Sequence, residues 1–498
     1  MNYLGILQSI FTFENLLMMN VGMFAGIIIG ALPGLSVIFA IAVLLPLTFD
    51  MEVLASMYLL LGAYCGATYG GSISAILLNT PGTPAATATI FDGYPLSQKG
   101  KAGDALKAAL FGSTLGGIIS CLALIFFAPL LAKVALKINS PEYFALCVFG
   151  LTAVIGVAGK NVIKGLIMAI IGLFLSTVGI DTTEGVQRLM FGATGLLAGF
   201  KPVTVMLGMF ALSEIMIKSR EIRAGVTSKT EYGKFRNATI SIKYMLRYWK
   251  TILKSSLIGV GIGALPGTGG AVAAMYSYNE AVRSSKNPEK FGQGSVEGIL
   301  APESANNAIT GATLIPLLTL GIPGDAAVAV LLGALTMQGI VPGAALFSDG
   351  STWVYAIMGG LLLINIFMIF QGSAFIRLFV NITKVPPVIL MPCIMVLCTV
   401  GAFAIANSTF DVIVMVAFGL FGYIMKSLDF PIAPLTIALV LGNLTETNLR
   451  RSLMLSYGDP TVFFTRPISL CILIVAMATL FYPYIKKALD KRKIKKLG

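Results

Sequence analysis

Apolar runs long enough to cross a bilayer recur from about residue 16 to residue 485, about ten to twelve of them at roughly 20 residues per crossing. In hydrocarbon every backbone N–H and C=O must be satisfied within the protein, so such a chain folds as a bundle of helices or as a closed barrel. Runs of this length select helices. With 56% hydrophobic and 11% charged residues, too little polar surface remains to coat a soluble globule. The fold class read from the sequence is therefore all-α, a polytopic membrane protein with no room for a soluble catalytic domain.

The net charge of +13 is local. Residues 218–250 carry nine Lys/Arg against Glu221 and Glu231, and the tail from Lys486 carries seven against Asp490; the rest of the chain is neutral. By the positive-inside bias both segments are expected to be cytoplasmic, and their basicity is topological rather than a sign of nucleic-acid binding. Four segments follow: an N-terminal membrane unit (1–217), a basic loop (218–250), a C-terminal membrane unit (251–485) and a basic tail (486–498). There is no histidine, which excludes His-based metal sites, Ser-His-Asp catalysis and histidine proton relays. The six cysteines all fall in apolar runs without a CxxC pair, and read as small core residues. The N-terminus lacks a basic n-region and a cleavage pattern, and is read as the mature start.

Within the apolar runs the chain repeats itself. Ile29–Gly34 (IGALPG) match Ile262–Gly267 letter for letter, and a second Pro-Gly element follows each copy, NTPGTP around Pro81 and GIPGD around Pro323. Two matches in the same order point to duplication, which is common in transporters, with the two halves expected to be inverted. Plain spans are expected near 105–132, 141–158, 161–179, 186–217, 351–379, 385–405, 409–425, 430–449 and 465–485. An odd number of them follows the basic loop. At least one broken region should therefore enter part way, turn at Pro-Gly and leave.

Proline removes a backbone donor and glycine permits unusual dihedrals, so each Pro-Gly should end one helix and start another. Such breaks survive in a membrane only where protein or a watery cavity surrounds them. Each leaves a helix N-terminus with unpaired N–H groups and roughly half a positive charge, an anion site that needs no basic residue. The expected substrate-binding residues are Gly34, Ser36, Asn79, Thr80, Gly82, Thr83, Gly267, Thr268, Gly269, Asn306, Asn307 and Gly324. A lone Pro-Gly is more often a kink; four of them, paired and surrounded by polar residues, favour a site.

The runs IGALPGLS, YGGSISAILLNTPGTPAATATIFDGYPLSQKGKAGDAL, IGALPGTGG and EGILAPESANNAITGATLIPLLTLGIPGDAAVAVLLGAL closely resemble the large membrane subunit of the tripartite tricarboxylate transporters, the TctA-like permeases. The resemblance extends over essentially the whole chain. It implies a bacterial inner-membrane importer of citrate-like or other organic carboxylates, not an enzyme. It further implies a small membrane partner (TctB-like), a periplasmic substrate-binding protein (TctC-like), and coupling to a Na+ or H+ gradient, with no other cofactor.

Glu303, Asn306, Asn307 and Thr310 are spaced by three, four and seven positions and share one helical face, which should line a cavity. Glu303, Thr310 and Asp325 are the candidates for cation coupling. Two simpler readings stay open: the Asn pair and Thr310 glue helices together, and Asp325 only caps the helix AAVAVLLGAL. Asp92, beside a lysine-containing loop, is expected at the interface. Glu446 and Arg450 form an i, i+4 pair at a helix end, usually a solvated feature. A passive anion channel or a scaffolding subunit is the alternative function. An intramembrane aspartyl protease would need a Tyr-Asp partner for GIPGD, and the chain has none.

Overall fold

All four Pro-Gly elements interrupt helices. In this computed structural model, which describes residues 3–157, 162–181, 184–224, 238–267, 269–347, 352–382, 387–405 and 407–481, α1 (Tyr3–Ile10) leads into α2 (Phe13–Ala31). The first LPG turn follows, with Gly34 at φ 82°, and α3 (Val37–Leu44) restarts behind Ser36. Then α4 (Val53–Leu78) ends on a left-handed Asn79 (φ 54°). After Pro81-Gly82 a 3-10 turn (Pro84–Ala86) begins α5 (Thr87–Leu96), which runs through a kink at Gly100 into α6 (Ala102–Ala135). α7 (Ser140–Val157), α8 (Val162–Ser176) and α9 (Pro202–Arg223) complete the part before the basic loop.

Beyond the loop, α10 (Trp249–Gly263) stops before the second LPG, where Gly267 has φ 88°, and α11 (Gly269–Ser284) restarts. α12 (Val296–Ala312) and α13 (Leu314–Leu320) end on a left-handed Gly321 (φ 72°), two residues before Pro323, as Asn79 lies two residues before Pro81. Asp325 then caps α14 (Ala326–Met337). The chain continues as α15 (Thr352–Ala374), α16 (Ile376–Ile382), α17 (Pro387–Ala404), α18 (Thr409–Ser427), α19 (Ala433–Leu455) and α20 (Pro467–Phe481). Among the described residues, β-structure is confined to the pair Gly179–Ile180 and Gln187–Arg188.

The fold is all-α and multi-pass. Among the described residues, six helical stretches are long and apolar enough to cross a membrane: α2, α4, the run from Pro84 to Ala135, α9, α15 and α18. The helices restarted at two of the breaks are far shorter. At 1.5 Å per residue, the 12 residues of α14 rise about 18 Å and the 8 of α3 about 12 Å, well under a hydrocarbon core of about 30 Å. Both are buried in protein, as broken helices at membrane depth must be.

Small residues hold the bundle together. Gly22, Gly26 and Gly30 on α2 meet the backbone of Leu59, Ala63 and Ala67 on α4, while Gly62, Gly66 and Gly70 of α4 meet α2 in return. A Cβ on Gly62 would lie 2.7 Å from Met23 N and one on Gly70 2.5 Å from Ile27 O, so these spacings let two backbones touch. After the basic loop α10 and α12 do the same, Gly263 facing the Ala312 methyl. The two parts also interlock: α12 packs along α6, where Ser120 Oγ accepts from Gly311 N at 3.2 Å.

Three sequence expectations need correction. The span expected at 186–217 starts only at Pro202, because Gly192, Gly195 and Gly199 and the left-handed Leu189 and Phe191 keep the chain in turns until then. Helix α9 instead continues through Arg223, so Lys218 and Arg220 sit in its last turns. Cys393 and Cys471 are exposed rather than core residues, since an apolar run does not distinguish a lipid-facing side from a protein-facing one. Glu446 and Arg450 are less solvated than expected: with Arg188 and the buried Asp181 they form an ion network (Arg188–Glu446 2.7 Å, Arg450–Asp181 2.9 Å, Arg450–Glu446 2.8 Å) that ties the short β-pair to α19. Part of the basic loop (225–237), Thr268 and the tail (486–498) lie outside the described residues.

Candidate functional site

The residues following all four breaks line one cavity of about 340 Å³. After Pro33-Gly34 come Ser36, Val37 and Ile38; after Pro81-Gly82, Thr83, Pro84 and Ala85; after Pro266-Gly267, Gly269 to Val272; after Pro323-Gly324, Asp325 to Ala327. Each group is the start of a helical segment: α3, the 3-10 turn of α5, α11 and α14. Four helix N-termini therefore face a common space. Its volume falls within the range of ordinary small-molecule sites.

The turns are held in pairs. Gly82 N donates to Gly71 O at 3.1 Å and Gly82 packs on the Gly30 carbonyl, immediately before the first LPG. Gly267 N donates to Gly324 O at 2.7 Å, joining the two later turns directly. Each pair fixes the direction of the helices that start from it, which is how elements far apart in sequence come to share one focus.

The electrostatics of the cavity follow from this geometry. Among the described residues no Lys or Arg lines it, and Asp325 is its one charged lining residue. Each N-terminus presents first-turn N–H groups that have no intrahelical partner, equivalent to roughly half a positive charge. Four such ends amount nominally to about +2 against the single carboxylate. Asp325 is engaged: Oδ1 accepts from Val328 N at 2.8 Å, capping α14, and Oδ2 accepts from Tyr64 OH at 3.2 Å. Thr83, by contrast, is 1% exposed and its Oγ1 is buried without a hydrogen-bond partner among the described residues. A buried hydroxyl at the mouth of a helix, with nothing to bond, is a ready donor for a ligand oxygen.

The structure sorts the expected residues. Ser36, Thr83, Gly267, Gly269, Asn306, Thr310 and Asp325 line the cavity. Ser36 Oγ also accepts from Phe39 N at 3.1 Å, and Thr310 Oγ1 donates to Asn307 O at 2.7 Å. Gly82 and Gly324 are buried just behind the lining and serve the turns. Asn79 and Thr80 are exposed outside it: Asn79 is spent on the left-handed helix end, and Thr80 Oγ1 donates to Leu78 O at 3.2 Å. Gly34 is exposed beside the Lys218 side chain. The polar face of α12 divides. Asn306 and Thr310 turn to the cavity, whereas Glu303 contacts α5 and α6, its Oε1 accepting from Thr89 Oγ1 and its Oε2 from Ser113 Oγ at 2.8 Å. Asn307, fully buried, donates to Glu303 O at 3.2 Å and stays outside the lining.

Tyr64 and Thr68 are lining residues that the sequence reading passed over. They belong to a polar i, i+4 series, Tyr64, Thr68 and Ser72, running through the apolar α4, and that periodicity is the signal that could have found them. Asp92 is not interfacial: it is wholly buried and accepts from Gly294 N (2.9 Å), Ser295 N (2.7 Å) and Tyr278 OH (3.0 Å). Asp104 binds Thr239 N and Ile240 N in the same manner, at 2.5 and 2.8 Å. A larger cavity of about 610 Å³ lies beside these two latches, lined by Lys99, Lys101 and Lys290, and contains none of the residues that follow the breaks.

A family model described as the "Tripartite tricarboxylate transporter TctA family" matches residues 16–437. A protein of Agrobacterium vitis, the "Uncharacterized 52.8 kDa protein in TAR-I ttuC' 3'region", is 36% identical over 485 residues, covering 97% of this chain and 96% of its own length. The "Uncharacterized protein in TAR-II ttuC' 3'region" of the same organism is 36% identical over 231 residues, 46% of this chain and 96% of its own length. No solved structure matches. With the family pattern covering the stretch that holds all four Pro-Gly breaks and every lining residue of the cavity, the chain belongs to the tripartite tricarboxylate transporter TctA family.

Proposed function

We propose that this chain is the permease of a binding-protein-dependent secondary transporter that imports citrate-like or other organic di- and tricarboxylates, and that the cavity at the four breaks is its substrate site. One observation carries the reading: four helix N-termini converge on a cavity that has no basic side chain among the described residues. That arrangement selects an anion by backbone N–H groups and helix ends, and releases it more readily than a lysine or arginine clamp would. A substrate with two or three carboxylates suits several N-termini better than a single carboxylate does. Thr83, Ser36, Asn306 and Thr310 supply side-chain partners for the carboxylate and hydroxyl oxygens.

The family is a transporter family whose large subunit works in a tripartite system with a small membrane subunit and a substrate-binding protein. For this chain the proposed setting is the bacterial inner membrane, with the loop 218–250 and the C-terminus cytoplasmic and the two membrane units inverted relative to each other. A sodium or proton gradient supplies the energy, with Glu303, Asp325 and Thr310 as the coupling candidates. Reconstitution with its two partner subunits into liposomes, assayed with mono-, di- and tricarboxylates, tests the reading. The expected result is concentrative uptake of a di- or tricarboxylate that collapses when the ion gradient is dissipated, with little uptake by the isolated chain. Uptake that only equilibrates would make the chain a passive channel.

A further inference from the structure

We propose that the coupling ion is a proton, carried by Glu303 at a site next to the substrate cavity, further along the same face of α12 and against α5 and α6. The proposal rests on the carboxylate-transport reading and specifies how that site is regulated. Glu303 is 0% exposed, and among the described residues it forms no ion pair. A buried carboxylate without a cationic partner is strongly disfavoured unless it holds a proton or a cation. The geometry favours the proton. Both oxygens accept from hydroxyls, Thr89 on Oε1 and Ser113 on Oε2, contacts that a proton on the carboxyl preserves and that a cation, needing several oxygen ligands, would have to displace. Hydroxyls serve both states: each donates to the carboxylate, and one rotates to accept when the carboxyl gains its proton. Ser304 Oγ and Tyr69 OH, buried beside Glu303 with no hydrogen-bond partner among the described residues, are further groups for the exchange.

The titratable and charged surroundings leave Glu303 as the carrier. Tyr69 is the titratable group that α4 turns to it, and α5 and α6 present the hydroxyls of Thr89 and Ser113. Asp92 on α5 is committed to two backbone N–H groups and Tyr278. On α10 and α11, Lys254 and Arg283 pair with Glu280, while Glu297 accepts from Thr251 and Ser285. Two connections reach the substrate. Asn306, less than one turn along α12, lines the cavity, and Thr89 sits on α5, whose preceding 3-10 turn lines it too. An unprotonated Glu303 places a negative charge near the anion site, and the proton removes it. In transport the proton binds a Glu303 oxygen from the side that supplies substrate and leaves to the other side, so one positive charge accompanies each cycle.

The test uses the chain with its partner subunits in liposomes, labelled citrate and succinate as probes, and the membrane potential clamped. Wild type should accumulate probe under an acid-outside gradient, by up to about tenfold per pH unit for each proton carried. Glu303→Gln should exchange internal for external probe within about threefold of the wild-type rate, yet accumulate none in response to the pH gradient. Thr89→Val, which leaves the carboxyl in place, should shift the pH of half-maximal uptake while preserving exchange. The proposal fails if Glu303→Gln accumulates like wild type, if a sodium gradient at equal pH drives wild-type uptake while a pH gradient does not, or if Thr89→Val leaves the pH profile unmoved. Should wild type exchange no carboxylate at all, the transport reading itself fails, which is seen before any variant is made.

Discussion

Thr83→Val is the substitution for which the structure makes opposed demands. Valine matches the shape of threonine and replaces only the hydroxyl with a methyl. That hydroxyl is buried, 1% exposed, and has no hydrogen-bond partner among the described residues. Leaving such a group unsatisfied costs about 1–3 kcal/mol, so its removal should leave stability unchanged or raise it by up to that amount. On the proposed reading the same hydroxyl donates to a substrate carboxylate, and a hydrogen bond to a charged group contributes about 1.5–3 kcal/mol. Its loss should weaken binding by about ten- to 150-fold. One change therefore raises or preserves the Tm of the detergent-solubilised protein while raising the half-saturation concentration for carboxylate exchange. Differential scanning fluorimetry and an exchange titration in liposomes measure the two quantities on the same preparation. A Val variant that exchanges with unaltered half-saturation would remove Thr83 from the site. One that is destabilised by more than about 1 kcal/mol would show the hydroxyl to be structural.

Further outcomes follow from the same geometry. Asp325→Asn can still cap α14 through its amide oxygen and should keep the fold and pH-driven uptake, whereas Asp325→Ala should lose about 0.5–2 kcal/mol in thermal unfolding; loss of gradient-driven uptake in a folded Asn variant would move the coupling site to Asp325. Gly324→Ala places a Cβ 2.7 Å from Thr313 Cβ and 2.8 Å from Thr313 Cα, and Gly82→Ala places one against the Gly30 carbonyl, so both should sharply reduce the yield of monodisperse protein on size exclusion, an expectation undone by normal yield and uptake. In a background without the six native cysteines, cysteines at Gln98 and Lys290 should react with an impermeant maleimide from the cytoplasmic side alone, because Lys99 Nζ donates to Gln293 O and the two loops share a side with Thr239. Ser228 and Lys495, outside the described residues, should label from that side as well, and labelling of any of the four from the periplasm would reverse the orientation.

The sequence alone determined the solvent, the element type and the breaks. Runs of apolar residues at membrane length admit only helices, and proline and glycine act on the backbone of their own turn, so all four Pro-Gly elements could be read as helix ends without knowing any neighbour. The two IGALPG runs, with NTPGTP and GIPGD, singled out the four turns whose following residues line the cavity. The family was legible for the same reason: its motifs are those turns.

Only the tertiary structure decided which side chains meet. Asn79, Thr80 and Thr83 lie within five residues of one loop, yet Thr83 alone lines the cavity, because the left-handed turn at Asn79 sends its own side chain outward and the next turn sends Thr83 inward. Helical periodicity correctly grouped Glu303, Asn306, Asn307 and Thr310, but a face about 100° wide touches more than one neighbour. Two of the four turned to the cavity, and Glu303 turned to α5 and α6. Asp92 reads as interfacial beside a lysine-containing loop until the loop after α11 folds over it and supplies two backbone N–H groups from 202 and 203 residues away. Local sequence sets where a helix starts and stops because the responsible groups are within a few bonds. It does not set what a buried polar group will face, since that partner comes from a distant segment and is fixed only when close packing of glycine-lined helices brings the segments together.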